Sequence, residues 1–231
     1  MQVFKYESID STFLESGRML PALPKGEYLF LAKEQTAGRG QGDHSFCSPR
    51  GNGIYATLLV KRDFDLKTEL PLVSRLTPLA AVCATRVLSE YRDGLRIKWI
   101  NDLLYQDKKY GGILSATSIE KDKITAFRIG FGINLGSAPL PPELCGNATS
   151  LNIECDGDSV AQAIAELIVR SLNDDFLLEY RSLCTTVGKK VMLDSGEIAL
   201  AREICDDFTL NVETKTGNIV NLKNTAGIKI L

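Results

Sequence analysis

The sequence predicts an α+β fold, a mixed sheet flanked by helices, with a small all-β unit at its C-terminal end. Three observations carry that expectation. Strand-length apolar runs alternate with helix-length apolar periodicity through most of the chain. The segment 159–180 places Val160, Ile164, Leu167, Ile168, Leu172 and Phe176 at the spacing of one helix face. After Tyr180 the pattern changes to short alternating segments separated by SG, DD, TG and NTAG turns. The division falls at 1–183 and 184–231, and the second unit has the size and strand pattern of an SH3-like barrel.

Taken in order, Thr12 followed by Glu15 fits a capping box and predicts a short helix in FLESGRML. EYLFLAKEQ (27–35) is a buried strand, and GIYATLLVK (53–61) is another. Between them lies a polar loop, TAGRGQGDHSFCSPRGNG (36–53), of a length that is either functional or disordered. Residues 70–91 are rich in helix formers, with Pro78 either starting that helix at its first turn or kinking it. LRIKW (95–99) is a strand, and NDLLYQDKK a short strand with a polar turn. YGGILSATSI (110–119) and ITAFRIGFGINLG (124–136) pair as strands, and PLPPEL is a loop. Ser159 with Gln162 forms a capping box for the helix 159–180. KKVML, EIALAREI, FTLNVET, NIVNL and IKIL are the strands of the last unit.

Bulk properties remove several function classes. A net charge of −2 gives no basic footprint for nucleic acid. His44 is the sole histidine, which argues against a zinc site or a histidine-based triad. The six cysteines form no CxxC pair and sit largely in apolar runs, so buried free thiols are expected. The N-terminus has no apolar signal core and no run reaches a membrane span, which together with free thiols points to the cytoplasm.

Four constellations carry chemistry. GRGQG (38–42) lets backbone N–H groups approach an anion beside Arg39, though GRG also suits a plain turn. In KWINDLLYQDKKYGGIL (98–114), Lys98, Asn101 and Lys109 can converge on one ligand, with Gly111 and Gly112 allowing close approach. Read alone, that segment is equally a solvated basic turn and a bulge. IGFGIN (129–134) leaves room over a strand face, or is a bulged strand ending in a turn. In DSTF (10–13), Ser11 and Thr12 bind a small polar ligand or merely cap a helix.

In this order the pieces resemble the biotin protein ligase family. Its pattern of DST, QxAGRGR, SPxGxxLY, KWPND, KxGGIL and GxGIN meets IDST (9–12), EQTAGRG (34–40), SPRGNGIY (48–55), KWIND (98–102), KKYGGIL (108–114) and GFGIN (130–134). NATSLNI (147–153) and YRSLCTTVGKKV (180–191) also look like family segments. The resemblance implies the family's mixed sheet with an SH3-like domain and a two-step chemistry. Biotin's carboxylate is adenylated by ATP, and the acyl group then passes to a lysine of a biotin carboxyl carrier domain of a carboxylase.

The resemblance also assigns roles. Lys109, rather than Lys108, matches the essential lysine, and Arg39 the loop arginine; these two are the catalytic candidates. Ser11, Thr12, Phe13, Gln35, Gly38 and Gly112 fall at biotin-contacting positions, with Gly40, Gln41, Arg39 and Lys109 around the carboxylate. Phe46, Lys98, Asn101, Gly132 and Asn134 fall on the ATP side, joined by Arg39, Gln41 and Lys109. Mg²⁺ is implied by ATP, with Asp102 the nearest ligand. Three departures stand out. Gln41 replaces a second arginine, Phe13 replaces the Asn of DSTN, and Phe46 replaces a tryptophan that packs on adenine; Ile100 for the proline of KWPND is structural. Nine residues before Asp10 leave no room for a helix-turn-helix unit, so a DNA-binding ligase–repressor is not expected. A lipoate or octanoyl transferase of the same superfold and a non-catalytic biotin or adenylate binder are the rival readings. Carrier docking by strand addition at a sheet edge, and a homodimer through the same edge, are further expectations.

Overall fold

The computed structural model describes all residues except 43, 52, 137–145, 225–228 and 231, with backbone alone for 66–70 and 229. The loop PLPPEL, Cys145 and the outer residues of IKIL therefore lie outside the described residues. The chain runs β1 (Gln2–Tyr6), α1 (Thr12–Met19), β2 (Gly26–Ala32), β3 (Gly53–Asp65), α2 (Leu66–Leu88), β4 (Leu95–Lys98), β5 (Asp102–Tyr105), β6 (Lys108–Glu120) and β7 (Lys123–Asn134). Helices α3 (Gly157–Arg170) and α4 (Leu177–Leu183) precede β8 (Lys190–Met192), β9 (Ile198–Ile204), β10 (Leu210–Glu213), β11 (Ile219–Leu222) and β12 (Lys229–Ile230).

Seven strands form one mixed sheet in the order β1-β2-β3-β7-β6-β5-β4, with β1 parallel to β2 and every other pair antiparallel. Successive side chains on a strand point to opposite faces, so the sheet sorts its residues in two. One face carries Leu29 and Leu31, Ala56 and Leu58, Phe127, Ile129, Phe131 and Ile133, all packed in the main core. Helices α2, α3 and α4 cover it through Leu76, Leu79, Val82, Ile164, Ile168 and Tyr180. The other face carries Tyr28, Phe30, Leu59 and Ala126, covered by α1 through Met19 and Leu20. Helix α1 reaches only part of that face.

Five further strands form a second sheet, β11-β10-β9-β8-β12. Among the described residues this order is open, with β11 and β12 at its edges; no pairing closes a barrel. It is fastened to the first sheet at the β4 edge. Thr185 N–H donates to the Ile97 carbonyl at 2.8 Å, the Trp99 N–H to Thr186 Oγ1 at 2.9 Å, and the Trp99 indole N–H to the Phe208 carbonyl at 2.8 Å. Phe176 stacks on Phe208 at 4.9 Å, and Ala201, Leu210 and Val212 belong to the main core.

Several expectations are corrected. Strand β1 is not expected from the sequence; its residues are exposed or half-buried, none of them fully buried, as in a surface tail. The helix 159–180 is two helices. Asn173, Asp174 and Asp175 favour side-chain-to-backbone bonds over helix, and Asp175 Oδ1 accepts the Leu177 N–H at the start of α4. Leu172 and Phe176 are buried regardless, so the apolar spacing continues through the break. Neither capping box forms. Asp156 caps α3 by accepting from Asp158, and Gln162 pairs with Glu166 instead. At α1 the N-cap is Ser11, which makes no side-chain cap, and Glu15 pairs with Arg18. Pro71 and Pro78 lie inside α2, where burial of Leu72, Leu76 and Leu79 outweighs the lost hydrogen bond. Cys83 is buried as expected, but Cys47 is exposed; the described cysteines are free.

Candidate active site

The site occupies the part of the sheet that α1 leaves bare. Along β7 the residues on that face are Ala126, Arg128, Gly130, Gly132 and Asn134. Ala126 lies in the small core beneath α1. Beyond it the glycines lower the floor, and their cross-strand neighbours are Thr57 and Leu114 at Gly130, and Tyr55 and Gly112 at Gly132. Over this floor lies a cavity with about 470 Å³ of atom-free space, open to solvent on one side.

One end is built by the start of α1. Thr12 Oγ1 donates to Gln35 Oε1 at 3.1 Å and so accepts from Thr57 Oγ1 at 2.9 Å; the Thr12 N–H also donates to Gln35 Oε1. Gln35 Nε2 donates to Ser48 Oγ at 2.8 Å, and Ser48 to the Phe46 carbonyl. This chain ties helix, strand and loop together and occupies both lone pairs of the Gln35 carbonyl. Ser11 Oγ is buried, lines the cavity and has no partner among the described residues. A buried hydroxyl without a partner costs about 1–3 kcal/mol, which a polar ligand would recover. Asp10, just outside, takes both forks of Arg18, which hold its carboxyl down to about 2.

The middle depends on a bulge. The β5–β6 register shifts between Leu103 and Leu104, so Gly112 pairs with Asp102 while Lys109 pairs with Leu104. In a regular strand residues 109 and 112 face opposite ways. Here the Lys109 side chain lies over Gly112, where a Cβ would stand 3.3 Å from Nζ. Lys109 Nζ pairs with Asp102 Oδ1 at 2.5 Å, and Lys98 Nζ stands 3.7 Å from Asp102 Oδ2. The segment after β7 supports the bulge: Lys109 N–H donates to the Asn147 carbonyl and its carbonyl accepts from Thr149. Asn101 lines the cavity; its Nδ2 donates to the Ile113 carbonyl and its backbone carbonyl accepts the Ile113 N–H. Lys108 lines neither this cavity nor its neighbour.

The roof is made by residues 38–42 and 44–46. Phe46 N–H donates to the Gly38 carbonyl, Arg39 bridges Ser45, and Gly40 N–H donates to the His44 carbonyl, making a hairpin. Arg39 lines the cavity and has no ion pair among the described residues. Phe46 lies over Gly132, where a Cβ would come within 2.6 Å of the ring, and meets Tyr55 edge-on at 6.4 Å. Burial pushes the Tyr55 hydroxyl's pKa well up, and it donates to the Pro49 carbonyl. On the far side of Phe46 a second cavity is lined by His44, Lys98, Asp102, Lys109 and Ile230.

The structure thus brings Ser11, Thr12, Phe13, Gln35, Arg39 and Gly40 to one cavity, with Gln41, Phe46, Asn101, Lys109, Gly112 and Gly132. Lys98 and Asp102 join through the adjoining one. Two expected residues line neither. Gly38 sits where a Cβ would meet the Phe46 carbonyl at 2.3 Å, so its smallness closes the hairpin rather than admitting a ligand. Asn134 Nδ2 donates to the Thr149 carbonyl, and its Oδ1 is buried without a partner among the described residues. Sequence reasoning missed Thr57, Ser48, Leu114 and Arg128. Thr57 and Leu114 sit in apolar strand runs, where only the register across β7 reveals their face. Among the described residues no cluster of three metal-ligating side chains occurs, and no helix is long and apolar enough to cross a membrane.

A model of the biotin/lipoate A/B protein ligase family matches residues 4–134. The chain belongs to this family. Among its relatives, the bifunctional ligase/repressor BirA of Bacillus subtilis is 37% identical over 144 residues, which is 61% of this chain and 42% of that protein. The biotin–[acetyl-CoA-carboxylase] ligase of Paracoccus denitrificans is 35% identical over 130 residues, 56% of this chain and 53% of that protein. The chain thus spans about half the length of these relatives, or less. The biotin protein ligase of Aquifex aeolicus, solved with biotin and ATP, superposes with a TM-score of 0.79 at 22% identity, covering 100% of this chain and 98% of that one. That likeness extends the ligase fold through the second sheet.

Proposed function

We propose that this protein is an ATP-dependent biotin–protein ligase. The observation that carries the reading is a single cavity in which Lys109, Arg39 and Asn101 stand between a hydroxyl-lined end and the Phe46 ring. The relatives' activity agrees with it. Biotin's ureido ring faces Ser11 and Thr12, which places its carboxylate near Lys109. ATP lies beyond, with adenine against Phe46 and phosphates toward Lys98.

In the first step a biotin carboxylate oxygen attacks the α-phosphorus; an O–P bond forms, the bond to pyrophosphate breaks, and no proton moves. In the second, a neutral lysine amine of a carrier domain attacks the acyl carbon. The C–O bond to AMP breaks, AMP departs, and the amine sheds a proton to solvent. Lys109 meets negative charge as it builds on the α-phosphate, a donor worth roughly 3–4 kcal/mol of barrier. Mg²⁺ would neutralise phosphate charge; Asp102 alone cannot hold a resident ion, so it would touch a cation that arrives with ATP. The partner is a biotin carboxyl carrier domain, met at a sheet edge that also suits a homodimer. The residue 183/184 boundary, an SH3-like closure of the second sheet and a cytoplasmic location without DNA binding complete the reading.

The test offers labelled biotin, lipoate and octanoate with Mg-ATP and their matching carrier domains. Biotin transfer to its carrier is expected, with Lys109→Ala slower by roughly 10²–10³-fold. Preference for lipoate or octanoate, tight biotin binding without transfer, or full transfer by Lys109→Ala would each sink it.

A further inference from the structure

Arg128 is the charged residue on the cavity face of β7, one row beyond Gly130. Its cross-strand neighbours are Leu59 and Ala116. It is half-buried, and among the described residues it forms no ion pair with an acid. Its Nη1 donates to the Phe13 carbonyl at 2.9 Å, its guanidinium lies 4.7 Å over the Phe13 ring, and its Nε is buried without a partner. Burial alone pulls its pKa below the ordinary arginine range. From the other side, a Cβ at Gly17 would stand 2.4 Å from Nη1, so α1 is notched to admit the guanidinium. Phe13 in turn presses on the floor, its Cδ2 3.0 Å from where a Cβ of Gly130 would be.

Such a cation is costly to bury with so few partners. What it holds is the first turn of α1, whose Ser11, Thr12 and Phe13 form the closed end of the cavity. We propose that Arg128 is a positioning residue for ligand specificity: by clamping the Phe13 carbonyl and ring it fixes the end wall of the cavity and the hydroxyls beside it. Phe13 thereby becomes a flat apolar stop against which a bicyclic ring system packs. This rests on the reading that biotin's ring system occupies that end. The chemistry at Lys109 and the nucleotide side are independent of it.

Two variants disturb the clamp from opposite directions. Arg128→Met keeps bulk and loses the cation. Gly17→Ala substitutes no cavity residue, favours the helix by about 1 kcal/mol, and displaces the guanidinium. Calorimetric titration of each full-length protein with biotin is expected to give a Kd about tenfold weaker than wild type. The KM for ATP and kcat at saturating biotin stay within about twofold. Arg128→Lys, which keeps a cation and one donor, recovers part of the loss. A merely structural role would instead move both substrates' constants together with the melting midpoint. Wild-type biotin affinity in both variants, or an ATP KM rising in step with biotin Kd, overturns the proposal. Wild-type protein that binds no biotin at all overturns the ligase reading instead, before any variant is compared.

Discussion

Lys109 in the free protein is held by Asp102 at 2.5 Å, with its side chain 38% exposed. A pair this open to water contributes little to stability, so an arriving phosphate displaces the carboxylate at small cost. Asp102 thus parks the ammonium over Gly112, where the proposed mechanism needs it. The neighbouring hairpin is weaker in charge than its relatives' motif implies, because Gln41 is neutral. A charge-assisted bond to phosphate contributes about twice a neutral one. Gln41→Arg should therefore slow escape of biotinyl-adenylate by about tenfold, read as the release rate of labelled intermediate after removal of free biotin; an unchanged rate would show that residue 41 does not touch the phosphate. Lys109 is legible in the sequence because its register with Gly111 and Gly112 sits in one contiguous motif. The role of Asp102 is not, because only the bulge turns Lys109 toward it. Arg128 is hidden more deeply: a single charge in RIGFGIN looks like an ordinary outward-facing strand residue until α1 is known to cover it.

At the scale of elements, the long apolar strands, α2 and the five strands of the second sheet are legible because burial pattern and turn chemistry agree. The misses fall where a side chain has two possible partners. Ser11 and Thr12 look like a cap, yet Gln35 and Thr57, distant in sequence, take Thr12 instead. With no cap, α1 is anchored by charge: Asp10 binds the Arg18 fork and accepts the Ser11 N–H. The folded pKa of Asp10, about 2, lies below its ordinary 3.8. Its stabilisation is therefore present above pH 3.8 and is lost as pH falls through about 2. Asp10→Asn should melt slightly below wild type at pH 7, by little because the pair is exposed, and the gap should close as pH approaches 2. A gap of equal size at both pH values would place the effect of Asp10 in packing or backbone capping rather than charge.

At the scale of the whole molecule, the two sheets share one core, and Trp99 is one of the residues through which they meet. It is fully buried, donates its backbone and indole N–H groups to Thr186, ahead of β8, and Phe208, between β9 and β10, and lies between Lys98 and Asn101. The Phe46 end of the cavity, where the proposed function puts the nucleotide, is therefore backed by the second sheet, and Ile230 of β12 lines the adjoining cavity. Two consequences follow from that placement. The protein should unfold in a single transition, since separating the sheets exposes Trp99, Tyr180 and Phe208 together. Trp99→Phe removes the indole donor and strands the Phe208 carbonyl, at a cost of about 1–3 kcal/mol. That lowers the midpoint by roughly 2–4 °C for each kcal/mol. Because Lys98 and Asn101 flank the lost anchor, the KM for ATP should rise severalfold, while the affinity for biotin, which the proposed function places at the α1 end, stays near wild type. Calorimetric melting and initial-rate kinetics on the same preparation check both. Two separate melting transitions, or equal weakening of both substrates, would mean that the C-terminal unit folds alone and does not shape the nucleotide side.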